Sequence, residues 1–167
     1  MEEKYLHAEE RGDAKNLPFR TRRDLSSSLG NAERAMFDVN RHTGRQTFGK
    51  AEKLKSKKLI EKLFDEGKSV GNNGFTLVYL PAVLSGFYPV QAGFSVPKRF
   101  FKNATDRNYI KRQMREVWRK NKHELYTQLA AQNLQMAIMW VYKGKNVPGY
   151  STTTEAMLLC LKKLPTS

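Results

Sequence analysis

Between Lys98 and Lys122 the chain reads KRFFKNATDRNYIKRQMREVWRKNK, and this stretch leaves few choices of fold or partner. It holds ten basic and two acidic side chains. Ile110, Met114, Val117 and Trp118 stand at i, i+4, i+7 and i+8, the period of a helix with one buried stripe. Arg107, Lys111, Arg115, Arg119 and Lys122 follow at spacings of four, four, four and three. They predict a basic ridge beside that stripe, with Asn108 and Arg112 adjoining it. One cation about every 6 Å along the axis suits a track of phosphates, and arginine offers a planar fork to phosphate oxygens. A charged helix face is usually just a solvated one. Solvated faces, however, mix signs so that Glu–Lys pairs at i, i+4 offset repulsion. Here seven cations crowd the helix, and only Asp106 and Glu116 oppose them. The pattern points to nucleic acid, with DNA and RNA equivalent on charge alone.

The charge of the whole chain agrees. Its 167 residues carry a formal net charge of +14, which favours nucleic acid or an anionic membrane. Residues 1–47 hold nine Lys/Arg and eight Asp/Glu, whereas residues 48–167 hold 21 and eight. Polyanion binding therefore belongs to the second part. The first 47 residues mix signs, include Ser26-Ser27-Ser28 and sustain no period. That composition predicts a disordered N-terminal extension, unable to offset its ordering entropy. Met36 is a second candidate start. Met1-Glu2-Glu3-Lys4 opens no signal peptide, and no run of about 18 apolar residues follows anywhere, so the reading is cytoplasmic.

From Phe48 the pattern is regular, predicting one domain over residues 48–167. Ser56 to Glu66 reads as a helix, capped by Ser56 and stopped at Gly67, with Leu59, Ile60, Leu63 and Phe64 as its apolar stripe. Lys68 to Gly74 is a short strand or turn, and Gly71-Asn72-Asn73-Gly74 has turn chemistry. Phe75 to Leu80 and Val90 to Val96 read as strands ended by Pro81 and Pro97, expected to form an antiparallel pair. Leu84 to Tyr88 connects them. Thr105 or Asp106 is expected to cap the basic helix, and Leu125 to Leu134 either extends it or forms a second one. Gln135 to Tyr142 is apolar on both faces, which suits a central strand. Ser151 is expected to cap a last helix, Thr152 to Leu164. This order gives an α+β fold, one small sheet with helices packed on it.

Several motifs now resemble a known family. Arg107-Asn108-Tyr109-Ile110-Lys111-Arg112, followed by Arg115, resembles the Arg-Asn-Arg-x-Lys-Arg signature of the bacterial ribonuclease P protein family. Gly93-Phe94-Ser95-Val96-Pro97-Lys98-Arg99 resembles that family's Gly-x-Ser-Val-Ser-Lys-Lys segment. Lys53-Leu54-Lys55 and Ile60 to Gly67 resemble its opening helix. Tyr109 stands where the family has its second Arg, Pro97 replaces a Ser, and Ile60 replaces an aromatic.

The resemblance implies a ribosomal-protein-S5-like α/β sandwich with a mixed sheet and an unusual left-handed crossover, against the general right-handed rule. It implies the protein subunit of a ribonucleoprotein, with ribonuclease P RNA and precursor tRNA as partners and no obligate protein partner or membrane. The RNA would hold magnesium and cleave the leader, with no cofactor bound by protein residues. Arg107, Asn108, Lys111, Arg112, Arg115 and Arg119 would bind the catalytic RNA. A cleft between the first helix and the sheet would bind the single-stranded 5′ leader through Ile60, Phe64, Phe75, Tyr79, Ser95, Lys98, Arg99 and Lys102. Stacking on such aromatics tolerates any base sequence, though core packing is an equal reading for Phe64, Phe75 and Tyr79.

A catalytic site within the chain is not expected. His7, His42 and His123 are isolated, and Asp65-Glu66 lacks the further carboxylates of a two-metal nuclease. Cys160, among leucines and without zinc-spaced partners, reads as a buried thiol. The competing functions are a general RNA- or DNA-binding module, a membrane-surface protein and a self-sufficient nuclease.

Overall fold

The computed structural model describes residues 46–84 and 88–164. The extension expected over residues 1–47, with Met36, lies outside them except for Gln46 and Thr47, as does the middle of the Leu84–Tyr88 connection. The elements are α1 (Lys57–Glu66), β1 (Lys68–Asn72), β2 (Phe75–Pro81), β3 (Val90–Ser95), α2 (Ala104–Ala131), β4 (Met136–Tyr142) and α3 (Tyr150–Lys162).

Local chemistry accounts for most of these boundaries. The Ser56 hydroxyl accepts from the Leu59 amide at 3.3 Å and caps α1. Gly67 ends that helix in extended backbone, with φ −71. A Cβ there would collide with the Leu63 carbonyl oxygen, so the close approach requires glycine. Gly67→Ala is therefore expected to destabilise the domain by about 1–3 kcal/mol, read as a lowered denaturation midpoint. Asn73 (φ 45) and Gly74 (φ 80) join the Asn72–Phe75 pair as a two-residue hairpin turn.

The sheet order is β1-β2-β4-β3. β2 runs antiparallel to β4, and β3 runs parallel to β4 through the α2 crossover. The expected antiparallel pairing of β2 with β3 is thus incorrect, because β4 lies between them. All seven β4 residues are buried. A strand apolar on both faces gains most from the centre, where helices cover both sides. The outer edge of β3 is covered by the segment before α1, with Leu54 N donating to Ala92 O (3.0 Å) and Ala92 N to Glu52 O (2.8 Å).

Each sheet face has its own core. Phe75, Leu77, Tyr79, Ile138 and Trp140 meet Ile110, Met114 and Trp118 of α2 and Met157 and Cys160 of α3. On the opposite face Val78, Ala137, Met139 and Val141 meet Leu63 of α1 and Leu54. The Trp118 and Trp140 rings meet edge to face at 6.5 Å. Cys160 is buried and free, and burial raises its thiol pKa.

Two helix starts differ from expectation. α2 is one continuous helix of 28 residues that begins after Asn103, not at Thr105 or Asp106. Asn103 Nδ2 donates to Asp106 Oδ2 at 3.3 Å, and Asp106 lies in the first turn, where the helix dipole favours its charge. α3 begins after Gly149, so Ser151 lies inside the helix and donates to Glu155 Oε1 at 3.0 Å. Its start is fixed by Thr153, whose amide (3.0 Å) and hydroxyl (2.9 Å) both reach the Gly149 carbonyl. The buried Thr153 hydroxyl also meets Gln113 Oε1 at 3.1 Å, tying α3 to α2.

Candidate nucleic-acid interface

α2 buries one side and presents cations on the other, but among the described residues only some of those cations are engaged by protein partners. Asn108, Arg112 and Arg115 are exposed, and Lys111 is half-buried. Arg107 braces the loop before the helix, its Nη1 donating to the carbonyls of Phe101 (2.8 Å) and Lys102 (2.7 Å). Arg119 grips Glu116 with Nε (2.9 Å) and Nη2 (2.6 Å), and its Nη1 donates to the Gln46 carbonyl. Lys120 pairs with Glu116 at 3.3 Å and donates to the Tyr150 hydroxyl at 3.2 Å.

Lys122 does not belong to the ridge. It is only 6% exposed and is ion-paired with Glu52, itself 2% exposed. Its ammonium also donates to Thr47 O at 2.6 Å. The Tyr126 hydroxyl donates to Glu52 Oε1 at 2.8 Å, and the Gly49 amide to Glu52 Oε2 at 2.6 Å. Burial, then the Glu52 charge, raises the Tyr126 pKa well above its usual value. Spacing along α2 could not reveal this, because the covering comes from residues 46–54, more than 60 positions upstream. Only Glu52, a single carboxylate amid lysines, hinted at it.

Glu116 sets the local charge. The Arg119 hydrogen bond chiefly, with Lys120, lowers its pKa to about 2. Its pairing is therefore complete above about pH 4.5 and is lost as pH falls towards 2. At neutral pH one carboxylate partly neutralises two cations. Glu116→Gln is expected to free Arg119 and Lys120 and to steepen the salt dependence of polyanion binding, read by titration at several salt concentrations.

The α1 side of the sheet carries some of the expected leader residues but not all. Ile60 is half-buried beside Leu63, and Phe64 is 52% exposed. Ser95 is half-buried in the row Thr76–Val141–Ser95, on the same face as Gly93. Gly93 keeps that floor low, since a Cβ would come within 2.6 Å of Met139 Cε. Lys98, Arg99 and Lys102 are exposed on the loop leaving β3. Phe75 (1% exposed) and Tyr79 (6%) are instead core residues of the opposite face, under α2 and α3. They correct the expectation: alternation put them on one face, but only the packing of α1 against Val78 shows which face that is.

The structure also adds residues. Lys143 and Lys145 are exposed on the loop after β4. Lys143 N donates to Gly74 O at 2.8 Å, and the neighbouring Tyr142 ring stacks on Phe101 at 5.8 Å. The loop thus joins the end of the sheet from which Lys98 to Lys102 emerge. In sequence, Lys143-Gly144-Lys145-Asn146 reads only as a turn. Among the described residues no three His, Cys, Asp or Glu side chains converge as a metal donor set, and no helix is long and apolar enough to cross a membrane.

A four-stranded mixed sheet between helices, with a long arginine-bearing helix along one side, defines an α+β nucleic-acid-binding protein. The chain belongs to the ribonuclease P protein family, whose family model matches residues 48–163. It is 32% identical over 118 residues to the ribonuclease P protein component of Porphyromonas gingivalis (strain ATCC 33277), covering 69% of this chain and 85% of that one. The component from Chlorobium phaeobacteroides is 32% identical over 111 residues, covering 60% and 76%. The solved ribonuclease P protein of Thermotoga maritima superposes with a TM-score of 0.53 at 26% identity, covering 68% of this chain and 97% of that one. The function is accordingly that of a ribonuclease P subunit in tRNA processing, with the RNA subunit as its implied partner.

Proposed function

We propose that this subunit holds ribonuclease P RNA through the open face of α2 and holds the 5′ leader of precursor tRNA along the α1 side of the sheet, in the cytoplasm. Arg112 and Arg115, exposed and without a carboxylate partner among the described residues, carry the reading, with Asn108 and Lys111 beside them. Arg107 shapes the loop that presents Lys98, Arg99 and Lys102. Phe64, Ile60 and Ser95 offer the leader a ring, an apolar wall and a hydroxyl. Cleavage and magnesium reside in the RNA, and the protein contributes by screening phosphate repulsion, which lowers the magnesium demand.

The test is cleavage of a precursor tRNA at low magnesium by ribonuclease P RNA, with and without the protein, and by the protein alone. The expected result is cleavage that needs both components. Cleavage by the protein alone would overturn the division of labour, and cleavage indifferent to the protein would overturn the screening role. A precursor with a leader of one nucleotide should lose most of the protein's benefit, and Phe64→Ala should reproduce that loss only for long leaders.

A further inference from the structure

Tyr109 is the odd residue on the open face of α2. Its side chain is 52% exposed on a helix whose other aromatics, Trp118 and Tyr126, are buried in contact with each other. Among the described residues its hydroxyl has no hydrogen-bond partner and its ring no aromatic or cation contact. It lies one turn before the exposed Arg112 and next to the exposed Asn108. Tyr150, also exposed, is different: Lys120 binds its hydroxyl at 3.2 Å and covers its ring at 5.4 Å.

A large exposed ring with no partner is a poor choice for solvent and a good one for a flat ligand. Cations at its side attract phosphates, and a ring one helical turn from Arg112, a spacing of about 5–6 Å between Cβ atoms, is a near neighbour of any nucleotide whose phosphate that arginine holds. Paired bases in an RNA helix show only their edges, whereas unpaired bases in loops and bulges offer a face. We propose that Tyr109 stacks on an unpaired base of the ribonuclease P RNA, while Arg112 and Arg115 hold the flanking phosphates. The contact makes α2 a reader of RNA shape as well as of charge. It rests on the assignment of the α2 face to that RNA.

Stacking and phosphate contacts leave different signatures. A neutral ring releases no counterions, so Tyr109→Ala should weaken RNA binding by about 5- to 150-fold, the range seen for base stacking, while the slope of log affinity on log salt stays the same. Tyr109→Phe keeps the ring and should bind within about threefold of the original. Tyr109→Arg should steepen the slope by about 0.7 to 0.9. Tyr109→Trp supplies a direct probe, because Trp118 and Trp140 are fully buried; its fluorescence should be quenched when the RNA binds, with protection from acrylamide.

The measurement is a set of affinities of the full-length protein for its cognate ribonuclease P RNA at several salt concentrations, with Arg112→Ala measured alongside. Alanine is a better helix former than tyrosine, so a folding defect is not expected, and circular dichroism confirms it. Loss of affinity on Tyr109→Ala at constant slope, retained in Tyr109→Phe, supports stacking. If Arg112→Ala weakens binding but Tyr109→Ala does not, stacking is overturned and the α2 assignment stands. If neither variant changes binding, the assignment itself has failed.

Discussion

Replacing Arg112 and Arg115 together by alanine is expected to lower the affinity for ribonuclease P RNA by about 10²- to 10⁴-fold at low salt. Hydrogen bonds to charged groups contribute about 1.5–3 kcal/mol each, and neither side chain has a partner within the described residues that would offset its loss. The salt slope should fall by about 1.4 to 1.8, one increment for each phosphate released. Both residues are exposed, so the fold should be unchanged and the melting temperature should move little. Filter binding or fluorescence titration across salt concentrations makes the measurement. An unchanged slope would remove these arginines from the phosphate track whatever the affinity did. Loss of sugar or base contacts would lower affinity equally at all salts, which separates them from this expectation.

The second large effect is on stability. Glu52→Ala should destabilise the domain by about 3–5 kcal/mol, because it leaves the Lys122 ammonium buried without its counter-charge. A domain of this size loses on the order of 10 °C or more in melting temperature for such a change. The pair need not be indispensable. Glu52→Leu with Lys122→Met removes both charges from a site that is 2% and 6% exposed, and such exchanges are often neutral or stabilising. The double variant should therefore be more stable than Glu52→Ala. It should also bind RNA with an unchanged salt slope, since Lys122 is already spent on Glu52 and Thr47. A reduced slope would return Lys122 to the phosphate track and contradict the packing. Thermal denaturation and the same titration read both outcomes.

These two experiments touch residues that one spacing rule grouped together. Arg107, Lys111, Arg115, Arg119 and Lys122 all satisfy a helical ridge. The structure leaves Arg115 exposed, turns Arg107 onto the Phe101 and Lys102 carbonyls, pairs Arg119 with Glu116 and buries Lys122. Periodicity reports which side of a helix a residue occupies. It does not report what other segment covers that side, and here the covering segment, Gln46 to Leu54, is remote in sequence. The same limit applies to β2. Alternation placed Phe75, Leu77 and Tyr79 on one face, and that grouping holds. Which helix lies over it was decided by packing: α1 covers Val78 on the other face, which leaves Phe75, Leu77 and Tyr79 to α2 and α3.

The sequence by itself determined the order of helices and strands though not every boundary, the helical stripe of Ile110, Met114, Val117 and Trp118, the central character of β4, the cationic side of α2 and the family. Each of these rests on a local period, a local composition or a short motif, all of which are written along the chain. The tertiary structure alone decided the strand order, the faces of Phe75 and Tyr79, the capture of Lys122 by Glu52 and the nearness of Lys143 and Lys145 to the Lys98–Lys102 loop. These depend on contacts between residues tens of positions apart, chosen by which apolar surfaces bury one another best, and no local pattern encodes that choice.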